Sequence, residues 1–540
     1  MTDRLRMRSP DQRITRSPDF LVRQLIRLLL AALLLASACA AQKQPKEQVR
    51  EPAVAGAFYP ADAKQLGEMV DGFLAKAPDI QGPLVALIAP HAGYPYSGGV
   101  AAHSYALLKS RKFARVVVIA PSHYEAFRFV SIYDGDAYAT PLGRVPVDRE
   151  FARKLAAGDP RLKLSGRAHV AGTGAGPSQE HALEVQLPFL QRTLPGFKLV
   201  PVIMGEQDYE TSRALGVALA KLIGKSSDTL IVASSDLSHY HPYDQAVQLD
   251  RKALNAVTAW DYFSAAHNFQ RQVWEACGGG PIVAAMIAAE RLGATEARLL
   301  QYANSGDVTG DRGRVVGYGA VALMRASGPK PAEPVAYSLP APEREALLQI
   351  ARRSVETAVR ERKLYDPPRP ALDTLAEERG AFVTLKRRGE LRGCIGYTSP
   401  VTPLYLTVRD TAAFAALQDP RFPPVPAAEL KELEYEISVL SPLRRVTDIQ
   451  QIQVGRHGLL MKNGADEGLL LPQVPGEFGW NRKQFLEGTC EKSGMPANCW
   501  QSDDTDIFLF TALVFDEHTA TPPTQPVSGG SQAPPESPGR

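Results

Sequence analysis

VVVIAPSHYEAF (residues 116–127) runs apolar to Ile119, breaks at Ala-Pro-Ser and delivers His123. An earlier stretch, VALIAPHAGYPYSGG (residues 85–99), follows the same plan: an apolar run, Ala-Pro, then His91 and a glycine-rich turn. Short aliphatic, β-branched runs bounded by proline and glycine read as buried strands. In open α/β sheets ligands gather beyond the carboxyl ends of such strands. Each histidine therefore stands where a ligand is expected.

Further strand-like runs follow in KLVPVIMG (198–205), DTLIVASSD (228–236) and RVVGYGAVALM (314–324). They alternate with helix-like stretches such as QEHALEVQLPFLQRTL (179–194). The alternation predicts an α/β domain over residues 51–325, preceded by a polar tether at 40–50. A proline-rich linker at 326–342 separates it from a second domain at 343–518, which opens with the helix-like EREALLQIARRSVETAVRE (343–361). The tail 519–540, rich in proline, serine and glycine, is expected to be disordered. A chain of 540 residues with 44% apolar and 22% charged content has room for such cores. Its net charge of +3 gives no electrostatic reason to expect a nucleic-acid partner.

Seven arginines at positions 4, 6, 8, 13, 16, 23 and 27 precede LLLAALLLASACAAQ (28–42). That apolar core is too short to span a bilayer and has small residues before Cys39, the layout of an export signal over residues 1–39. Leu35 to Cys39 resembles a bacterial lipobox, with Ala36 where leucine is usual, so lipidation is expected at Cys39. Cleavage after Ala36-x-Ala38 as an ordinary signal peptide is the alternative. The expected location is the periplasm or the outer membrane, with membrane attachment only through the lipid.

Four cysteines remain, too few for a disulfide framework. Polar groups stand at four predicted element ends: His91, His123, Asp236 with His239 in IVASSDLSHYHPYD (231–244), and Cys277 in WEACGGGPIVAA (274–285). His103, His169 and His267 read as packed or capping residues. Imidazole and thiolate are strong donors for late first-row metals, so His91, His123 and Cys277 form a candidate three-ligand set with positions left open. Asp236 and His239 are three apart; one helical turn would put both on one side, to orient a ligand or move a proton. The three glycines after Cys277 permit close backbone approach. In QEHALEVQ (179–186), Glu180 and Glu184 are spaced i, i+4 on an expected helix, without the second histidine of a zincin motif. Glu180 and His181 are either pocket residues or part of an exposed acidic helix start.

APHAGYPYSG, APSHY, QEHALEVQLPFL, SSDLSHY and CGGGPI, in that order, resemble the Memo family, whose fold is similar to that of the class III (LigB-like) extradiol dioxygenases. The resemblance covers about residues 51–325. It implies metal binding at His91, His123 and Cys277, with Asp236 and His239 beside them as catalytic residues. Where the dioxygenases offer two histidines and a carboxylate, this pattern offers two histidines and a thiol. Ring cleavage therefore does not carry over automatically, and redox chemistry by iron, or alternatively copper, suits a thiolate donor. A zinc hydrolase and a non-catalytic peptide-binding module are the rival expectations.

LRGCIGY (391–397), DPRFPPV (419–425) and LLLPQVPGEFGWNRKQFLEGTCEKSGMPANCW (469–500) resemble the AMMECR domain, a compact α+β fold. Arg392, Gly393 and Cys394 mark its candidate site, although a lone cysteine is more often structural. His457 in GRHGLL (455–460) reads as a turn residue. Domains of these two families occur in bacteria with a radical S-adenosylmethionine protein as the AmmeMemoRadiSam system, which implies such a partner. This chain has no CxxxCxxC cluster motif of its own. Gly494 and Pro496 turn the chain between Cys490 and Cys499, and in an oxidising compartment that pair is expected to bridge, two buried thiols being the alternative.

Overall fold

The strands Leu84–Ala89, Arg115–Pro121, Lys198–Met204 and Thr229–Ser234 bury almost every residue, as strands covered on both faces must. Alternate side chains divide between the two faces. Val117, Ile119, Val200 and Val202 join one apolar cluster; Val116, Val118, Ala120 and Leu199 join another. The first face is covered by the helices Tyr209–Ile223 and Gly279–Arg291, the second by Ala63–Lys76 and Tyr94–Ala106. The computed structural model describes residues 47–78, 80–169, 180–326, 337–371 and 373–519. The expected export signal with Cys39 and the tail beyond 519 lie outside them, as does most of the linker. The described chain from Val49 onward belongs to one compact unit.

Leu84–Ala89 and Arg115–Pro121 both pair in parallel with Thr229–Ser234, and Arg115–Pro121 also with Lys198–Met204. Val315–Met324 lies antiparallel to Leu84–Ala89 on the other flank, with Glu296–Asn304 and His239–His241 paired beyond it. Ala89 is level with Ser234, and Ile119 with Ala233. His91, His123 and Asp236, each two residues past a strand, therefore emerge at one sheet edge. The expected strands and the α/β class stand. The expected helix at 179–194 is shorter: a 3₁₀ turn at Glu184–Gln186 leads into the helix Leu187–Thr193.

The second domain is the expected α+β unit. Its antiparallel sheet runs in the order Glu390–Tyr397, Ala381–Arg387, Leu433–Leu440, Asp506–Asp516, His457–Asn463, Asp466–Leu470. Helices Ala341–Glu361 and Leu404–Leu417 supply apolar side chains to its core. Cys490 and Cys499 are disulfide-bonded with Cα atoms 5.8 Å apart, as expected. His457 closes the turn from Gln453 and opens a strand.

The two domains share a hydrophobic cluster. Phe508 and Phe510 of the second join Tyr262, Phe263 and Trp274 of the first, with the Phe263 and Phe508 rings 5.0 Å apart. Asp506, 2% exposed, receives Tyr209 Oη at 3.0 Å, Arg213 Nε at 2.5 Å and Arg291 Nη2 at 2.8 Å. Arg445 Nε reaches back to Glu290 Oε2 at 2.6 Å. Among the described residues, no helix is long and apolar enough to cross a membrane.

Candidate metal centre

Three imidazoles meet at the carboxyl edge of the sheet. One ring nitrogen from each of His91, His123 and His181 lies within 4.8 Å of the others. The His123 and His181 rings stack at 5.0 Å and 13°, and His91 stands edge-on to both, at 5.2 and 5.7 Å. His91 is 2% exposed, whereas the His123 side chain keeps 26%.

Neighbours set the tautomers. The Ser234 hydroxyl donates to the Ala182 carbonyl at 2.7 Å and accepts from Gln186 Nε2 at 2.7 Å. Its contact with His91 Nδ1 at 2.9 Å is then a second accepted bond, which leaves the lone pair on Nε2. Glu180 Oε1 faces His123 Nδ1 at 3.0 Å, and Oε2 accepts the His123 backbone N–H at 2.6 Å. Burial raises the Glu180 carboxyl, but the His123 bonds outweigh it and hold the group at about 2. As an ionised acceptor, Glu180 requires His123 to donate from Nδ1; burial opposes a charged ring, but the Glu180 bond raises the His123 pKa above 6.5, and in the neutral ring Nε2 carries the lone pair. Burial, and next the charge of His91, bring His181 down to about 4, so its ring is neutral at pH 7. Its Nδ1 is buried with no hydrogen-bond partner among the described residues. Three converging imidazoles, two held by second partners and one with a buried nitrogen that has no hydrogen-bond partner among the described residues, suit a late first-row metal cation, which on His123 would compete with the proton that Glu180 favours.

Cys277 stands beside this group, its Sγ 3.1 Å from His91 Nε2 and 3.2 Å from the Asp236 backbone nitrogen. Burial, and then the charge of Asp236, push its thiol well up, so it stays protonated unless a cation is adjacent. The close approach expected from its glycines is real: a Cβ on Gly278 would lie 2.2 Å from the Ser234 carbonyl oxygen. Asp236 Oδ1 accepts the backbone N–H groups of His91 and Ala92 at 2.8 and 3.3 Å, and burial raises its carboxyl.

One local expectation is corrected, and of the two alternatives for Glu180 and His181 the pocket one holds. Residues 235–238 are not helical, so no helical turn puts Asp236 and His239 on one side. His239 instead begins the short strand His239–His241 and bonds Leu237 O through Nδ1 at 2.8 Å. It lines a cavity of about 520 Å³ together with His241, Trp274, Glu275 and Cys277. Glu180 and His181 are not an exposed helix start. Both are buried, because Glu180 Oε1 takes the N–H groups of His181 and Ala182, each at 2.9 Å, in place of a helical turn. Glu184 is buried too, clamped by Arg50, Tyr59 and the backbone of Ala53 and Val54. The place of His181 among the three nitrogens was not read from the sequence; its only signal was its position beside Glu180.

His169 is packed against Tyr138, while His103 and His267 bond carbonyls four residues back, as expected of structural histidines. In the second domain a Cβ on Gly393 would meet Ala415 O at 2.2 Å, which explains the glycine by close helix packing. Arg392 bonds Glu429 at 2.8 Å, and the Cys394 N–H is held by Asp419 at 2.8 Å. Burial raises the Cys394 thiol, and Thr384 donates to it at 3.3 Å. Each of the three residues thus has a packing or hydrogen-bond partner within its own domain.

Two protein families match the two domains. The Memo-like protein family matches residues 50–322, and AMMECR1 matches residues 348–515. A MEMO1 family protein of Methanopyrus kandleri is 39% identical over 288 residues, 51% of this chain and 99% of that protein. A protein of Thermococcus kodakarensis is 45% identical over 183 residues, 32% of this chain and 89% of its own length. The crystal structure of an uncharacterized protein from Pyrococcus horikoshii is 41% identical, with a TM-score of 0.31, covering 32% of this chain and 91% of that one.

Proposed function

This chain belongs to the Memo-like family and carries an AMMECR1 domain behind the Memo-like one, and on that premise we propose that its first domain is a metal-dependent redox enzyme, loaded with iron or alternatively copper. The observation that carries this reading is the meeting of His91, His123 and His181, where His181 Nδ1 has no hydrogen-bond partner among the described residues. His91, His123 and His181 would hold an ion, which would supply Lewis-acid and redox chemistry there. The substrate is a small molecule or peptide received in the cavity beside Cys277.

The chain's own residues divide the remaining work. Ser234 and Glu180 engage Nδ1 of His91 and of His123, which would leave each Nε2 as the nitrogen to hold an ion. Asp236 fixes the backbone from which His91 projects. His239 donates from Nδ1 to Leu237 O, which leaves its Nε2 as the basic nitrogen available to carry a proton at the cavity. Asp236 is the second proton carrier proposed. Three histidines with an open position also make a catalytic zinc set, and that observation supports zinc hydrolysis as a second reading.

Metal analysis of the anaerobically purified full chain, beside the His91→Ala/His123→Ala double variant, tests this. Stoichiometric iron with an oxygen-dependent spectrum supports the redox reading, and tight zinc transfers it to hydrolysis. Full metal retention by the double variant overturns the centre. A metal-free wild type leaves a peptide-binding module.

We also propose a radical S-adenosylmethionine protein as partner, and export with lipid anchoring at Cys39. The oxidised Cys490–Cys499 pair supports export, since such bridges persist in oxidising compartments. Cys39→Ala is expected to convert membrane-bound protein into soluble periplasmic protein; unchanged fractionation overturns the anchor.

A further inference from the structure

Glu378 belongs to the second domain, just before the strand Ala381–Arg387, yet its carboxylate serves the first. Oε2 accepts from Trp274 Nε1 at 3.0 Å and Oε1 from Lys252 Nζ at 2.5 Å. Trp274 is 5% exposed and lines the same cavity as Cys277, three residues further on.

The segment leading into Trp274 is bent sharply. The helix Tyr262–Gln270 ends there, and Gln272 lies in the left-handed region at φ 57°. The Val273 and Trp274 N–H groups return to the Asn268 carbonyl at 2.9 and 3.3 Å. Asn268 Nδ2 in turn donates to Pro400 O of the second domain at 3.2 Å. A non-glycine residue in a left-handed bend persists where its surroundings over-determine it. Here the second domain grips the bend at two points, Asn268 and Trp274, while its far end, Cys277, abuts His91.

We infer that the second domain is a positioning device for the first domain's cavity. Glu378, acting through Trp274, holds the wall that sets Cys277 against the imidazole cluster. The functional meaning of that grip rests on the proposed metal chemistry; the grip itself does not. An indole N–H bonded to a carboxylate is a charge-assisted hydrogen bond, stronger than a neutral one and directional. Glu378 is thus a positioning residue that touches neither metal nor substrate.

The test uses the metal-stripped full chain and reads alkylation of Cys277 by peptide mass spectrometry against Cys394, the other free thiol among the described residues. Glu378→Ala is expected to raise the Cys277-to-Cys394 rate ratio about tenfold, the factor a lost charged hydrogen bond carries. Glu378→Gln keeps an acceptor for the indole and should stay close to wild type. Amide exchange should quicken in residues 268–277 alone. Trp274→Phe removes the donor, keeps an aromatic wall and must reproduce the rise even if Glu378→Ala fails to fold. An unchanged ratio in Trp274→Phe, or an equal rise at both thiols, overturns the inference. Because the metal is absent throughout, these outcomes are independent of whether the His91/His123 centre is real.

Discussion

Glu180 binds His123 twice, taking the ring Nδ1–H on one carboxylate oxygen at 3.0 Å and the backbone N–H on the other at 2.6 Å. One side chain thus fixes both the position and the tautomer of an imidazole that has only partial shelter from water. Removing its charge while keeping its shape isolates the electrostatic part. Glu180→Gln is expected to weaken metal binding by about 10–100-fold, the usual cost of losing such a support. Chelator competition at pH 7 measures it, and equal affinity would show that His123 is held by packing alone.

Asp261 caps the helix Tyr262–Gln270 by accepting the Ser264 N–H at 3.1 Å. Burial raises its carboxyl from 3.8 to about 6. The folded state therefore prefers the protonated form. Its contribution is complete below pH 3.8 and is lost as pH rises through about 6. Asp261→Asn keeps a good cap without the buried charge. It should stabilise the chain by about 1–3 kcal/mol at pH 7 and by almost nothing at pH 3.5. Denaturant midpoints at the two pH values check the sign.

Asp506→Ala leaves Arg213 and Arg291 without their buried partner. A loss of about 3–5 kcal/mol is expected from an uncompensated buried charge. Urea unfolding monitored by tryptophan fluorescence reads this directly. A change below 1 kcal/mol would mean that water or another acid takes over the pair.

Alkylation of the native, unreduced protein should label Cys277 and Cys394 and spare Cys490 and Cys499. Cys499→Ser is expected to cost about 2–3 kcal/mol, the chain-entropy value for so short a loop. Labelling of all four in the native protein would exclude the bridge.

The strands were legible because burial on both faces writes itself as unbroken aliphatic runs, and Ala-Pro marks where those runs stop. His91, His123 and Asp236 followed from that reading. The segment 180–183 did not, because its apolar and acidic spacing mimics a helix. What prevents the helix is a carboxylate whose other partner, His123, lies 57 residues away, and local periodicity carries no trace of it. His181 was therefore read as a pocket residue at most, and not as a third nitrogen donor. The contact between domains was invisible for a related reason. The apolar face of Tyr262–Gln270 looks the same in sequence whether it meets its own sheet or Phe508.

The clasp around Asp506 also fixes an order of events at the ribosome. Arg291 must wait for an acid 215 residues downstream, and at about 5–20 residues per second that is roughly 10–40 s of synthesis. During that interval the nascent first domain carries bare cations next to uncovered Tyr262 and Phe263, an adhesive surface of the kind chaperones attend. Release of the chain before its last long strand would therefore yield a sticky half rather than a smaller working protein.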